Sequence, residues 1–254
     1  VALRWPERLW IVRHGESAGN VARNLATASG LVRIDLAERD VDVPLSPLGE
    51  EQSCVLGRWF ASQPQTEKPE VVLTSPYLRA RRTADIIREC GGVSADAHRP
   101  TPDERLREKE FGLLDRLTGA GIAELHPDQA EFRRLLGKFY HRPPGGESWC
   151  DVILRLRSAL DTLSLHYAGR RVMIVSHQVV VLCLRYLLES MTEAEILAID
   201  ASGDVANCSV TEYRLDRDVG PNGELKLAAY NFTAPLERAG APVTREPDAP
   251  VAAR

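Results

Sequence analysis

Leu9-Trp10-Ile11-Val12-Arg13-His14-Gly15-Glu16-Ser17 is the stretch on which the reading of this chain turns. Four apolar residues stop abruptly at a charged pair, which predicts a short buried strand closed by a tight turn at Gly15. A helix is expected from about Ser17. The pattern recurs twice. Val71 to Leu73 ends in Thr74-Ser75-Pro76 before a helix over Tyr77 to Arg88, stopped by Gly91-Gly92. Val172 to Val175 ends in Ser176-His177 before an apolar helix over Val179 to Leu188. Short apolar strands alternating with helices predict the α/β class: a single three-layer domain, a mainly parallel central sheet with helices on both faces. In such sheets ligands bind beyond the carboxyl ends of the strands. Arg13, His14, Ser75 and His177 are therefore expected at one edge, joined by Arg79 from the first turn of the following helix.

The rest of the chain fits around this frame. Ser46-Pro47 is a helix entry, Ser as N-cap and Pro at the first position. Glu104 to Leu106 reads as a further short strand, and Thr118 to Tyr140 as helical with an interruption at Pro127. After the break at Pro143-Pro144-Gly145-Gly146, Glu147 to His166 carries Val152, Leu156, Leu160 and Leu163 on one helical face. Cys208 to Leu215 and Leu225 to Asn231 alternate as two late strands. From Pro235 to Arg254 the chain is rich in Pro, Ala and Arg without apolar periodicity, and a mobile tail is expected. The domain is accordingly placed at residues 1–234 and the tail at 235–254.

Composition removes several classes. The chain has 254 residues, 44% hydrophobic and 27% charged, enough for a large core without disulfides or structural metal. With 32 Lys and Arg against 36 Asp and Glu, the net charge of -4 excludes an overall basic footprint for nucleic acid. No apolar run approaches the roughly 20 residues that span a bilayer, and Arg4, Glu7 and Arg8 argue against a signal peptide. Five widely spaced cysteines (54, 90, 150, 183 and 208) and six histidines without metal-ligand spacing predict reduced thiols and no structural zinc. A soluble, cytoplasmic protein is expected, with no membrane and no nucleic acid among its partners.

Two histidines and two arginines around helix N-termini describe an anion site. Arginine offers a planar fork that matches phosphate oxygens, and neutral histidine can attack phosphorus. The motifs around these residues resemble, in order, those of the histidine phosphatase superfamily, which includes phosphoglycerate mutases, fructose-2,6-bisphosphatases and broad-specificity phosphatases. The first is Leu9 to Ser17 with Asn20. Pro44-Leu45-Ser46-Pro47-Leu48-Gly49 with Gln52 is similar to the next landmark. Thr74 to Ala80 with Thr83 resembles the segment of the second arginine, and Leu106-Arg107-Glu108 with Gly112 that of the acid. Gly145-Gly146-Glu147-Ser148 and Val175-Ser176-His177 complete the series, so the resemblance covers Leu9 to Tyr213.

The resemblance implies a phosphoglycerate mutase-like fold and a small phosphorylated substrate, with no cofactor and no metal. It implies that His14 becomes a phosphohistidine, that Arg13, Arg79 and His177 hold the phosphoryl oxygens, and that Asn20 is a further donor. Glu108 would protonate the leaving group and then serve as base for water; the spacing to Gly112 favours it over Glu110. Gly15 and Ser17 are assigned to the substrate-binding motif, with plain turn and helix-cap roles as alternatives. Arg142 is a candidate to reach substrate or a surface residue; His126 and His141 are expected at the surface. Gln178 stands where many relatives have Gly, and resembles the fructose-2,6-bisphosphatase branch. The segment Val21 to Val43 is either an extra surface helix or loop, or a lid. Glycolytic mutases carry a long basic insertion between the acid and the Gly-Gly-Glu segment, which residues 109–144 lack. That favours a phosphatase over a mutase, and a phospho-ligand binding module without chemistry is the remaining reading.

Overall fold

The computed structural model describes residues 4–247. Its first strand, β1, is Arg8–Arg13, followed by helices α1 (Ala18–Ala28) and α2 (Pro47–Ala61). Strand β2 (Val71–Thr74) leads into α3 (Leu78–Glu89), and β3 is only Thr101–Pro102. Helices α4 (Gly119–Leu125), α5 (Pro127–Tyr140) and α6 (Trp149–His166) precede β4 (Arg171–Ser176). Then come α7 (Gln178–Leu188), α8 (Glu193–Ser202), β5 (Val210–Asp216), β6 (Glu224–Phe232) and α9 (Ala234–Ala239). Among the described residues no helix is long and apolar enough to cross a membrane.

The six strands form one sheet in the order β3-β2-β4-β1-β5-β6. β3, β2, β4 and β1 run parallel, and β5 and β6 close the sheet antiparallel. Between their charged or polar ends the central strands are apolar because they are covered on both faces. In β1 and β4, Leu9, Ile11, Val172 and Ile174 pack with Leu156 and Leu163 of α6 and Val180 of α7. The alternate residues Trp10, Val12, Met173 and Val175 pack on the opposite face with Leu56 and Phe60 of α2 and Ala84 and Ile87 of α3. Full burial of each such side chain stabilises by roughly 1.5–3 kcal/mol, so a one-residue slip would exchange both cores at once. The register is what aligns the site: Arg13 lies beside Ser176 and Thr74 beside Val175. Their successors His14, Ser75 and His177 therefore leave the sheet together.

Local signals hold where the caps are explicit. Ser46 accepts from Gly49 N–H at 3.0 Å at the start of α2. Ser148 and Asp151 form a reciprocal capping box on α6. Two expectations fail. Glu104–Leu106 is a 3-10 turn, not a strand: Asp103 accepts from the Arg105 N–H and guanidinium, both at 2.9 Å, and curls the chain away from β3. The segment from Pro235 is not a mobile tail within the described residues. α9 buries Pro235 and Leu236, Gly240 ends it in the left-handed region, and Ala241 joins the α2 side of the core. A single apolar anchor in so short a helix leaves no period in the sequence. Residues 248–254 of that expectation lie outside the described residues.

Candidate active site

β1 and β4 deliver the two histidines. The His14 N–H donates to Ser176 O at 2.9 Å, and Asn207 Nδ2 donates to His14 O at 3.1 Å, fixing the backbone on both sides. The imidazoles of His14 and His177 lie edge to face, centroids 5.1 Å apart, and both residues have 0% exposure. His14 Nδ1 lies 2.6 Å from Gly15 O. A carbonyl only accepts, so Nδ1 carries a proton, and in the neutral ring the lone pair is on Nε2. His177 Nε2 is 2.8 Å from Ser75 Oγ, and its ring meets Tyr77 edge-on at 5.2 Å.

The arginines are buried beside them. Arg13 donates to Val205 O and Glu246 O. Arg79, in the first turn of α3, donates to Asp40 O at 2.6 Å and to the Asp40 carboxylate at 2.9 and 3.4 Å. Asp40 thus lays an anion across the guanidinium in the manner of a phosphate oxygen pair. It belongs to the 21–43 segment, which thereby contacts Arg79. Arg116 donates to Leu36 O and Glu38 O, and Ile34 N–H to Arg116 O at 2.9 Å.

The Glu108 segment is irregular backbone. Glu108 has 0% exposure, with Oε1 accepting from Lys109 N–H at 2.7 Å. Glu110 is turned outward, its side chain 45% exposed, and accepts from Tyr77 OH at 2.7 Å. The two carboxylates do not share a side, because the segment is not a strand. It is held by Arg155 of α6, whose guanidinium donates to Glu108 O and to both carboxylate oxygens of Glu147. Glu147 also accepts from Glu110 N–H at 3.0 Å. Burial raises the Glu147 carboxyl, but hydrogen bonds and charge from Arg155, the Glu110 N–H and Arg107 outweigh it and hold Glu147 below the usual carboxylate range.

Ser17 and Asn20 cap α1 reciprocally, and Asn20 Nδ2 also donates to Glu246 O at 3.3 Å. Gly15 is dictated by packing: a Cβ there would lie 2.4 Å from Gly49 O and 2.8 Å from Ser53 Oγ. Arg142 is not brought into this group. Its side chain is 62% exposed and forks onto Asp151, the capping acid of α6. His141 is buried rather than at the surface. Asp40 and Arg155 escaped the sequence reading. Neither sits in a motif; Asp40 meets Arg79 across 39 positions of chain and Arg155 meets Glu108 O across 47.

The sequence profile described as histidine phosphatase superfamily (branch 1) matches residues 9–222. A protein of Serratia proteamaculans named probable phosphoglycerate mutase GpmB is 32% identical over 179 residues, 70% of this chain and 72% of that one. Its namesake in Klebsiella pneumoniae is 30% identical over 220 residues, 84% and 86% of the two chains. Among solved structures, Bacillus stearothermophilus YhfR superposes with a TM-score of 0.69 at 24% identity, covering 90% of this chain and 98% of its own. A mycobacterial glucosyl-3-phosphoglycerate phosphatase with inorganic phosphate gives 0.67 at 23%, covering 90% and 99%. These last two speak for the fold. With the ordered motifs, the matched profile and a sheet edge that gathers two histidines, two arginines and a buried glutamate, the chain belongs to the histidine phosphatase superfamily.

Proposed function

We propose that the protein hydrolyses phosphomonoesters through a phosphohistidine on His14. Nε2 attacks phosphorus, the P–O ester bond breaks, and Glu108 passes its proton to the departing oxygen. Water then attacks the phosphohistidine, its proton returns to Glu108, and inorganic phosphate leaves His14 in its starting form. Arg13, Arg79, His177 and Asn20 hold the phosphoryl oxygens, so the spread charge of the transferring group meets fixed donors. The observation that carries this reading is the buried pair of imidazoles, 5.1 Å apart, with His14 in the tautomer that presents Nε2 as nucleophile. Substrate must displace Asp40 from Arg79. We infer that the enzyme acts in the cytoplasm on small phosphorylated molecules.

The relatives named probable phosphoglycerate mutases favour a second reading, in which the phosphoryl group returns to another hydroxyl of the substrate. The missing basic insertion between Glu108 and Gly145 supports the hydrolase. One experiment addresses both. Wild-type enzyme quenched in base during turnover of a radiolabelled phosphomonoester is expected to carry acid-labile, base-stable label, lost in His14→Ala. Inorganic phosphate is expected as the end product. Label on another residue overturns the mechanism, and quantitative transfer to a second hydroxyl in place of phosphate release establishes the mutase.

A further inference from the structure

A cavity of about 810 Å3 is lined by the chain neighbours of two site residues. Lys109, next to Glu108, and Gln178, next to His177, both line it. The alcohol that leaves toward Glu108 therefore leaves toward this space. Its size is that of sites for whole ligands, far more than a bare phosphate needs. The walls are largely apolar, with Phe111, Leu114, Ile122 and Trp149.

The charges inside it are unbalanced. Lys109 is 8% exposed, its ammonium 4.7 Å over the Phe111 ring. Arg133 and the buried His141 line the same space. Among the described residues neither Lys109 nor Arg133 makes an ion pair or a side-chain hydrogen bond, and His141 meets only Gln129 at 3.4 Å. The acids on the rim are engaged: Asp200 with Lys138, and Asp204 with Gln178 Nε2 at 2.8 Å. Burial first and the Arg133 charge next pull the Lys109 ammonium down to about 8, against the opposing pull of Glu108 and Glu147. Burial, then Arg133 and Lys109, also lower His141. A buried ammonium beside a half-buried guanidinium that repels it is costly unless an anion joins them.

Resting on the phosphatase reading, we propose that the cavity is the leaving-group pocket, and that it selects phosphomonoesters whose alcohol has an apolar body ending in a second anionic group held by Lys109, Arg133 and His141. The phosphoryl end sits among His14, Arg13 and Arg79, and the far anion, carboxylate or second phosphate, reaches the cationic cluster past the aromatic wall. Small hydrophilic esters fill neither part.

Matched non-hydrolysable ligands test this directly: octylphosphonate, 8-phosphonooctanoate and octane-1,8-bisphosphonate, titrated calorimetrically into the full chain. Wild type is expected to bind the two dianchored ligands at least 10-fold more tightly than octylphosphonate, the order that a charge-assisted hydrogen bond carries. The stronger of the two tells carboxylate from phosphate. Lys109→Met and Arg133→Gln, made separately so that a folding defect in one leaves the other, are each expected to shrink that ratio while octylphosphonate still binds. Equal affinities in wild type, or a ratio unchanged in both variants, overturns the pocket assignment. Turnover of p-nitrophenyl phosphate, assayed in parallel, reports on the hydrolase reading alone: its absence with the binding preference intact overturns the reaction and keeps the pocket.

Discussion

Glu108 and Glu110 lie two positions apart, and the fold treats them in opposite ways: one has no exposed surface, the other reaches solvent and Tyr77 OH. A general acid must sit where the leaving oxygen is desolvated, so the burial contrast matters more than the spacing. Glu108→Gln is expected to lower kcat on an alkyl phosphate by roughly 10²–10⁴-fold, and much less on p-nitrophenyl phosphate, whose leaving group needs little protonation. Glu110→Gln is expected to change either rate little. Steady-state kinetics on both substrates check this, and a large leaving-group-dependent loss at Glu110 would exchange the two roles. The placement of Arg13, His14, His177 and Arg79 was legible because Arg13 ends β1, the two histidines follow directly on strand ends and Arg79 opens the helix after β2, so chain direction fixes their positions. Arg142 was not, because its fate depends on Asp151. A charge next to a Gly-Gly break can point anywhere until the capping box of the following helix claims it.

Between β1 and α2 the chain runs through α1 and a 3-10 turn at Asp40–Asp42, and this connection decides access to Arg79. Thr118 Oγ1 donates to Leu31 O at 2.6 Å and Arg116 anchors Leu36 and Glu38, so the segment is docked, not loose. On the proposed mechanism, Asp40 competes with phosphate for Arg79. Asp40→Ala is expected to lower the inhibition constant of inorganic phosphate by roughly 10-fold, the scale of one charge-assisted contact. Weaker phosphate inhibition in the variant would mean that Asp40 orients Arg79 and does not compete for it. Sequence left this segment open between surface and lid, since its docking depends on Arg116 and Thr118, far along the chain. The two helices that went unread, α8 and α9, share a cause. Each is pinned by very few buried side chains, Ile196 in one and Pro235 with Leu236 in the other, so neither shows an apolar stripe.

At the scale of the whole molecule, β1 reaches the catalytic edge first and the segment after α9 reaches it last. Gln52 Nε2 donates to Pro242 O and Thr244 Oγ1, both at 3.0 Å, while Thr244 donates to Asn207 and Glu246 O accepts from Arg13 and Asn20. Residues 241–246 therefore stitch α2, the Asn207 turn and the segment from Arg13 to Asn20 together. A chain ending at Gly240 is expected to melt roughly 5–10 °C lower, from the loss of several hydrogen bonds near 1 kcal/mol each. It is also expected to lose most of its kcat/KM as Arg13 and Asn20 lose their partner; thermal melts and kinetics on the truncated protein read both. Full activity in that protein would show the segment to be a passenger. The parallel strands were plain in the sequence and this closing segment was not, because hydrogen bonds to backbone carbonyls leave no mark on residue choice. There is a practical corollary for anyone handling the protein. Pro247 lines the large cavity, whereas Arg8 begins β1 at the opposite end of a strand roughly 20 Å long. A fluorescent group attached at residue 247 would therefore sit beside this cavity, whereas one attached at Arg4 would sit toward the other end of β1.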